Sequence, residues 1–209
     1  MDATHSKSAF VYGEVRRALQ SGRYAPGQRI DPSGLATEFN TSPTPVRIAL
    51  YRLVGEGLIA DHARNGLHVP LPTEVGLRDL YDWMERLLLM ACDIGVAATF
   101  RQSGELEIAS SANDLMKLTW QLFDAIACAT AHCSLRRAVN QANGQLAPIR
   151  RSEQEVLDDC VEELSELNRL WQLRDTPILR SGLRDYHTRR KQFVPNMVAL
   201  FSDRVDYLR

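Results

Sequence analysis

Two prolines set two residues apart, Pro43 and Pro45, constrain this chain more than any other feature. Proline is tolerated in a helix only in the first turn, where its missing N–H would have had no intrahelical partner. The stretch Thr41-Ser42-Pro43-Thr44-Pro45-Val46 therefore predicts a helix start, with the Ser42 hydroxyl as cap and Pro43 at the first helical position. Val46, Ala49, Leu50, Leu53 and Val54 follow at helical spacing, and Thr44, Arg47, Ile48 and Tyr51 fall on the opposite face. Gly55 and Gly57 loosen the end of the helix. Residues 58–62 and 67–69 then read as two strands joined through Arg64-Asn65-Gly66, and Asn-Gly supplies the positive φ angles of a tight hairpin. A capped helix with a polar, basic outer face followed by a hairpin is the layout of a winged helix-turn-helix. In such a layout the helix enters the major groove and the hairpin lies along the backbone.

The wider segment Tyr12–Val69 resembles the DNA-binding domain of the GntR family of bacterial transcription regulators. The matching residues include Leu19-Gln20-Ser21-Gly22-Arg23, Ala25-Pro26-Gly27, Leu35-Ala36, Thr44-Pro45-Val46-Arg47, Ala49-Leu50, Leu53, Glu56-Gly57-Leu58-Ile59, Gly66 and Val69. The resemblance implies that Thr44 and Arg47 read DNA. Pro43 stands where the family often has an arginine, and Gly34 where a basic residue is common. Tyr51, Arg52, Arg64, Asn65, Gly66 and His68 are further candidates for phosphate or minor-groove contact. An arginine that reaches a guanine is worth ~1–3 kcal/mol of discrimination, so the operator is expected to differ from the commonest family sequence.

A chain of 209 residues with 44% hydrophobic content can build one large or two small domains with real cores. No apolar run approaches the ~20 residues that span a bilayer. The N-terminus MDATHSKSAF lacks the apolar stretch of a secretory signal. A soluble, cytoplasmic protein without membrane contact is expected. Cys92, Cys128, Cys133 and Cys160 contain no CxxC pair and do not suggest a disulfide framework. The net charge is -1, but the first 70 residues carry eight basic and six acidic side chains. The sign suits a DNA-facing first half, and the smallness suggests weak binding per protomer that a dimer would double.

Along the chain, residues 1–8 read as disordered and Ala9–Ser21 as a helix with Phe10, Val15, Ala18 and Leu19 inward. Asp31 caps a second helix that begins at Pro32. Pro70-Leu71-Pro72 reads as a stiff linker. Thr73 caps a long helix to about Phe100. Helices are then predicted over residues 105–132 (interrupted near 110–113), over 135–146 (closed by Pro148) and over 152–173. A last helix begins at Pro177 under a Thr176 cap and is broken or kinked at Pro195. The expected fold is mainly α. A winged helix-turn-helix with a small β-hairpin wing, residues 1–70, precedes an all-α bundle of six to seven helices, residues 71–209, that dimerises and binds ligand.

That order is similar to the FadR-type branch of the family, with its FCD effector domain, and to the VanR-like subgroup within it. The resemblance implies a small-molecule pocket in the helical domain, often with a divalent metal held by an Asp, a His four residues later and two further His. Such ligands suit Zn, Ni or Mn with a position open to an acid. Here Trp120 replaces the Asp and Asp124 the first His. Leu164 and Ser165 fall at the second, and His187 matches the last. Met84 and Leu88 stand where the first long helix of the family has Arg and Glu. The expected pocket residues are Met84, Leu88, Trp120, Asp124 and His187, and any metal would rest on Asp124 and His187. The lining predicts an apolar or aromatic effector without a metal, or a collapsed pocket.

The resulting expectation is a dimeric DNA-binding transcription regulator, a ligand-responsive repressor of a palindromic operator. A helical protein-interaction module, whose degenerate winged helix does not read DNA, is the alternative. No glycine-rich phosphate loop, zincin motif or nucleophile–base pair points to an enzyme.

Overall fold

A computed structural model of the chain describes residues 3–63, 66–97 and 112–206. Among these are nine α-helices and one antiparallel hairpin. They fall in two compact units, one of residues 1–72 with the chain end from Phe201, the other Thr73–Leu200. No helix among the described residues is long and apolar enough to cross a membrane.

The first unit contains α1 (Ala3–Gln20), α2 (Pro32–Glu38), α3 (Pro43–Gly55), β1 (Ala60–His62) and β2 (Gly66–His68). α1 starts earlier than its sequence suggests: residues 3–8 are helical, and Ser8 is buried. Val11, Tyr12, Val15 and Leu19 form its inner face. Phe10, expected inside, is 57% exposed and meets Phe39 edge-on at 6.0 Å. With Val11 and Tyr12 adjacent, two phases of the helical period compete, and the phase that buries both of them wins.

Asp31 caps α2 as expected, accepting from the Ser33 and Gly34 amides at 3.0 and 2.9 Å. Ser42 occupies the cap position of α3, but its hydroxyl makes no capping bond. The prolines explain the difference. A cap side chain accepts from the second or third helical N–H, and Pro45 has removed the third. Val46, Ala49, Leu50 and Leu53 pack into a core with Leu35, Ala36, Ile59, Leu67 and Val69. In the hairpin His62 pairs with Gly66 and Ala60 with His68. Gly66 has φ +69°, which glycine reaches without steric cost. Gly27 N–H donates to Val69 and Ile30 N–H to Leu67, so residues 27–30 line the far side of β2.

The second unit holds α4 (Glu74–Ile94), α5 (Ala112–Ala129), α6 (Cys133–Arg150), a 3-10 turn at Glu153–Glu155, α7 (Cys160–Gln172) and α8 (Thr176–Gln192). α9 (Val194–Asp206) runs to the end of the described residues. Thr73 caps α4 by accepting from the Gly76 amide at 3.1 Å, and Gly95 at φ +77° ends it. The helix predicted to run to about Phe100 stops at Ile94 instead, because Gly95 turns the chain into left-handed backbone; residues 98–100 and the predicted helix start at Glu105 lie outside the described residues. α4 packs on α5, α6 and α8, α5 also on α6 and α7, and α7 on α8.

Three sequence expectations change here. Pro148 does not close α6 but lies inside it. Burial of Leu146, Ala147, Ile149 and Arg150 around it holds the last turn in place despite the lost hydrogen bond. The single helix expected over residues 152–173 is broken instead: Asp159 takes φ +54°, leaving a 3-10 turn before α7. Aspartate tolerates that left-handed geometry better than most residues. Finally, α8 is capped by Asp175, one residue before Thr176, through the Ile178 amide. The expected break does occur near Pro195, which falls in the first turn of α9.

Candidate nucleic-acid interface and bundle interior

The outer face of α3 presents Thr44, Arg47, Ile48, Tyr51 and Arg52, all exposed. Burial of the opposite stripe forces them outward, since positions 44, 47, 48, 51 and 52 repeat at the helical period. Ile48 and Tyr51 are 49% and 55% exposed, large for apolar side chains on an otherwise polar face. Arg47 enters no ion pair among the described residues. Arg52 differs, because its guanidinium lies 3.9 Å from the centre of the Tyr12 ring and pairs with Glu56 at 3.4 Å. The Tyr12 hydroxyl donates to the same Glu56 carboxylate at 2.8 Å. Burial and that carboxylate raise the phenol's pKa. Arg52 is thus tethered at the root of the helix.

In the wing, His68 is half-buried, its ring stacked on His62 at 4.4 Å, and its Nδ1 donates to the Gly66 carbonyl. Arg64 and Asn65 lie outside the described residues. Arg29, which sequence reasoning passed over, is exposed beside the wing. Its guanidinium lies 4.0 Å from where a side chain on Gly66 would begin. Only the pairing of residues 27–30 with β2 brings it there.

In the bundle, Met84 and Leu88 on α4 are fully buried and Trp120 is half-buried. Trp120 Nε1 donates to Asn140 at 2.9 Å. Asn140 donates to Asp124 at 2.6 Å, and Arg136 holds both Asp124 oxygens at 2.8 Å. Burial alone would raise the Asp124 pKa, but the bonds from Arg136 and Asn140 outweigh it and the pKa falls. His187 belongs to another cluster. It is fully buried, its Nδ1 donates to the Leu183 carbonyl at 2.7 Å, and its ring contacts Tyr186 at 5.0 Å and Phe123 at 5.8 Å. Asp124 is committed to a guanidinium, and no group of three or more His, Cys, Asp or Glu suited to a metal occurs among the described residues.

Burial, reinforced by the charges of Arg190, Arg150 and Lys191, drives the His187 pKa down to about 3. The unfolded chain binds a proton near pH 6.5 while the folded one does not until about pH 3. Stability is then full above about pH 6.5 and falls as pH drops toward 3. His187→Leu is expected to flatten that part of a denaturation profile measured against pH.

Residues 7–69 match the family profile described as bacterial regulatory proteins, gntR family. That match takes in the head and less than half of the chain. Over 70 residues the chain is 30% identical to the uncharacterized HTH-type transcriptional regulator YdhC of Bacillus subtilis (strain 168). That match covers 34% of this chain and 31% of the curated relative. Two solved structures resemble the chain through both the GntR-type head and the helical unit. One is described as a transcriptional regulator GntR from Rhodococcus sp. RHA1, with TM-score 0.73 and 16% identity over 91% of this chain and 98% of that one. The other is E. coli McbR/YncC, with TM-score 0.65 and 18% identity over 94% and 99%. At these identities the likeness shows the fold.

Proposed function

We propose that the chain is a GntR-type DNA-binding transcription regulator, with α3 entering the major groove. The observation that carries this is the solvent face of α3, with Thr44, Arg47, Ile48 and Tyr51 exposed while the opposite face is packed into the core of the head. Arg47 suits a guanine edge or a phosphate. The apolar parts of Ile48 and Tyr51 suit thymine methyl groups. Arg29 and His68 flank the wing as backbone contacts. The alternative of a docking module that does not read DNA is not favoured, since the family profile covers the reading head in full.

The finer reading is a homodimer on a palindromic operator, of the FadR-type branch and its VanR-like subgroup, acting as a repressor released by a small molecule. Trp83, Met90 and Ile94, all exposed, form a stripe at helical spacing on α4, with Val75 at its start. That stripe supports pairing of two copies through their helical units. Met84, Leu88, Trp120, Asp124 and His187 are the proposed surroundings of the effector. No metal enters this reading, given the engagement of Asp124. Effector and DNA affinities would be reciprocally coupled.

The test is fluorescence-anisotropy titration of DNA flanking the protein's own gene at several salt concentrations, with random DNA as reference. Saturable binding that weakens steeply with salt and favours the flanking DNA supports the reading. Equal binding to both DNAs, with no effect of Arg47→Ala, refutes it.

A further inference from the structure

Helices α5 and α6 form a hairpin whose polar side chains join in rungs. Trp120 on α5 donates to Asn140 on α6 at 2.9 Å, and Asp124 accepts from Arg136 at 2.8 Å. A step of four residues along α5 is matched by a step of four back along α6, about one helical turn on each. The same step from Asp124 and Arg136 leads to Cys128, in the last turn of α5, and to His132 and Cys133, where α6 begins. Cys133 is exposed and Cys128 half-buried. The Arg136 guanidinium lies within electrostatic reach of both thiols, so the two sulfurs flank one side chain. The turn between them is short and held. Ala131, at φ +57°, donates its N–H to the Cys128 carbonyl at 3.1 Å, and the His132 N–H donates to the Thr130 hydroxyl at 3.1 Å.

The other two cysteines are placed differently. Cys160 is buried, its thiol donates to the Leu157 carbonyl at 3.4 Å, and burial pushes its pKa up to about 11. Burial also raises the Cys92 pKa. Both are held as thiols, and oxidants attack the thiolate. A disulfide needs its two Cα atoms within about 7 Å of each other. Packed helices lie about 8–10 Å apart between axes, with Cα atoms about 2.3 Å from each axis, so facing Cα atoms come within that span.

We infer that Cys128 and Cys133 are a redox-active pair, which a peroxide closes into a disulfide across the α5–α6 turn and a dithiol reopens. The exposed Cys133 thiolate attacks one peroxide oxygen. The O–O bond breaks, an S–O bond forms, and the hydroxide released takes up the proton that the thiol gave. Cys128 then loses its proton and attacks the oxidised sulfur. The S–S bond forms, the S–O bond breaks, and a second water leaves. Two thiols and one hydrogen peroxide become one disulfide and two waters. A reducing dithiol returns both thiols by exchange and becomes a disulfide itself. The exposure of Cys133 opens the pair to both reagents, which suits a reversible link and not a permanent bridge. The link adds a covalent rung beyond Asp124–Arg136, so the closed end of the hairpin opens less often. It needs no operator, effector or second copy, and so stands apart from the proposed function.

The test treats the reduced full chain with hydrogen peroxide, alkylates the remaining thiols with iodoacetamide and maps tryptic peptides by mass. Cleavage after Lys117 and Arg136 releases residues 118–136, which hold Cys128 and Cys133 and no other cysteine. After peroxide that peptide is expected to be lighter by two hydrogen atoms and to carry neither alkyl group. Dithiothreitol before alkylation should restore both groups. The peptides of Cys92 and Cys160 should be alkylated throughout. Cys128→Ser is expected to leave Cys133 with added oxygen or joined to a second chain, and Cys133→Ser to leave Cys128 alkylated. Amide hydrogen exchange at the end of α5 and the start of α6 should slow on oxidation of the wild type, return on reduction, and not slow in peroxide-treated Cys128→Ser. Full alkylation of the 118–136 peptide after peroxide overturns the inference. So does a wild type in which Cys133 only gains oxygen, or in which the disulfide joins two chains on a non-reducing gel. Unchanged or faster exchange in the oxidised chain overturns the added rung. The wild-type mapping needs no variant to fold.

Discussion

Replacing Arg47 by alanine is expected to cost roughly 1–3 kcal/mol at each half-site of the operator. A dimer loses the contact twice, so operator affinity should fall between about 30-fold and about 20,000-fold. The argument rests on position. Arg47 is exposed on the same face as Thr44 and Tyr51 and enters no ion pair among the described residues. Folding therefore gains little from it, and the thermal midpoint should hardly move. Arg52 makes a useful contrast. Its stacking on Tyr12 and its pair with Glu56 are intramolecular, so Arg52→Ala should lower stability as well as affinity. Anisotropy titrations over a salt series identify what Arg47 touches. A phosphate contact lowers the slope of log affinity against log salt by about one per protomer. A guanine contact leaves the slope and erases discrimination at one base pair. No loss of affinity would mean that α3 does not face the DNA.

The head was legible in the sequence because its signals are local. Asp31-Pro32 and Ser42-Pro43 each announce a helix start through chain geometry alone, and Gly66 is called for by a positive φ within three residues of the turn. Thr73 announces α4 in the same way, whereas its end at Gly95 was missed, since a single glycine in a periodic stretch does not by itself mark a stop. What local pattern could not supply was whether a breaker would be overridden. Pro148 stays within the helix because four of its neighbours are buried and hold the last turn. Asp159 breaks a periodic stretch that has no glycine or proline to mark it. The bundle interior was legible in part. Apolar periodicity turns Met84 and Leu88 inward, but nothing in the sequence marks Arg150 as buried. An arginine next to Arg151 in a polar stretch reads as solvated surface, and arginine is seldom fully buried. Only the packing of α6 against α5 and α4 reveals that one of the two adjacent arginines faces inward. Arg29 escaped for the opposite reason: its place beside the wing depends on backbone pairing between segments almost forty residues apart.

Arg190→Met is expected to cause the largest loss of stability, about 3–5 kcal/mol. Arg190 and Glu153 are both nearly inaccessible and pair at 2.9 Å. Arg190 also pairs with Glu163 at 2.7 Å, donates to the Tyr186 carbonyl at 3.0 Å and lies over the Tyr186 ring. The Tyr81 hydroxyl donates to the other oxygen of Glu153 at 2.9 Å. One guanidinium thus ties α8 to the 3-10 turn and α7, and through Glu153 to α4. Removing it strands the Glu153 charge in the interior with a single phenolic hydrogen bond. The cost comes chiefly from that stranded charge and not from the lost attraction, because burying the intact pair was itself expensive. Neutralising the carboxylate should therefore recover much of the loss. The double variant Arg190→Met with Glu153→Gln is expected to be more stable than Arg190→Met alone, although it carries one more substitution. Denaturant unfolding followed by tryptophan fluorescence reads this directly, since Trp83, Trp120 and Trp171 all lie in the helical unit. A double variant no better than the single one would show that Arg190 contributes through its packing on Tyr186, and that the buried pair adds little beyond it.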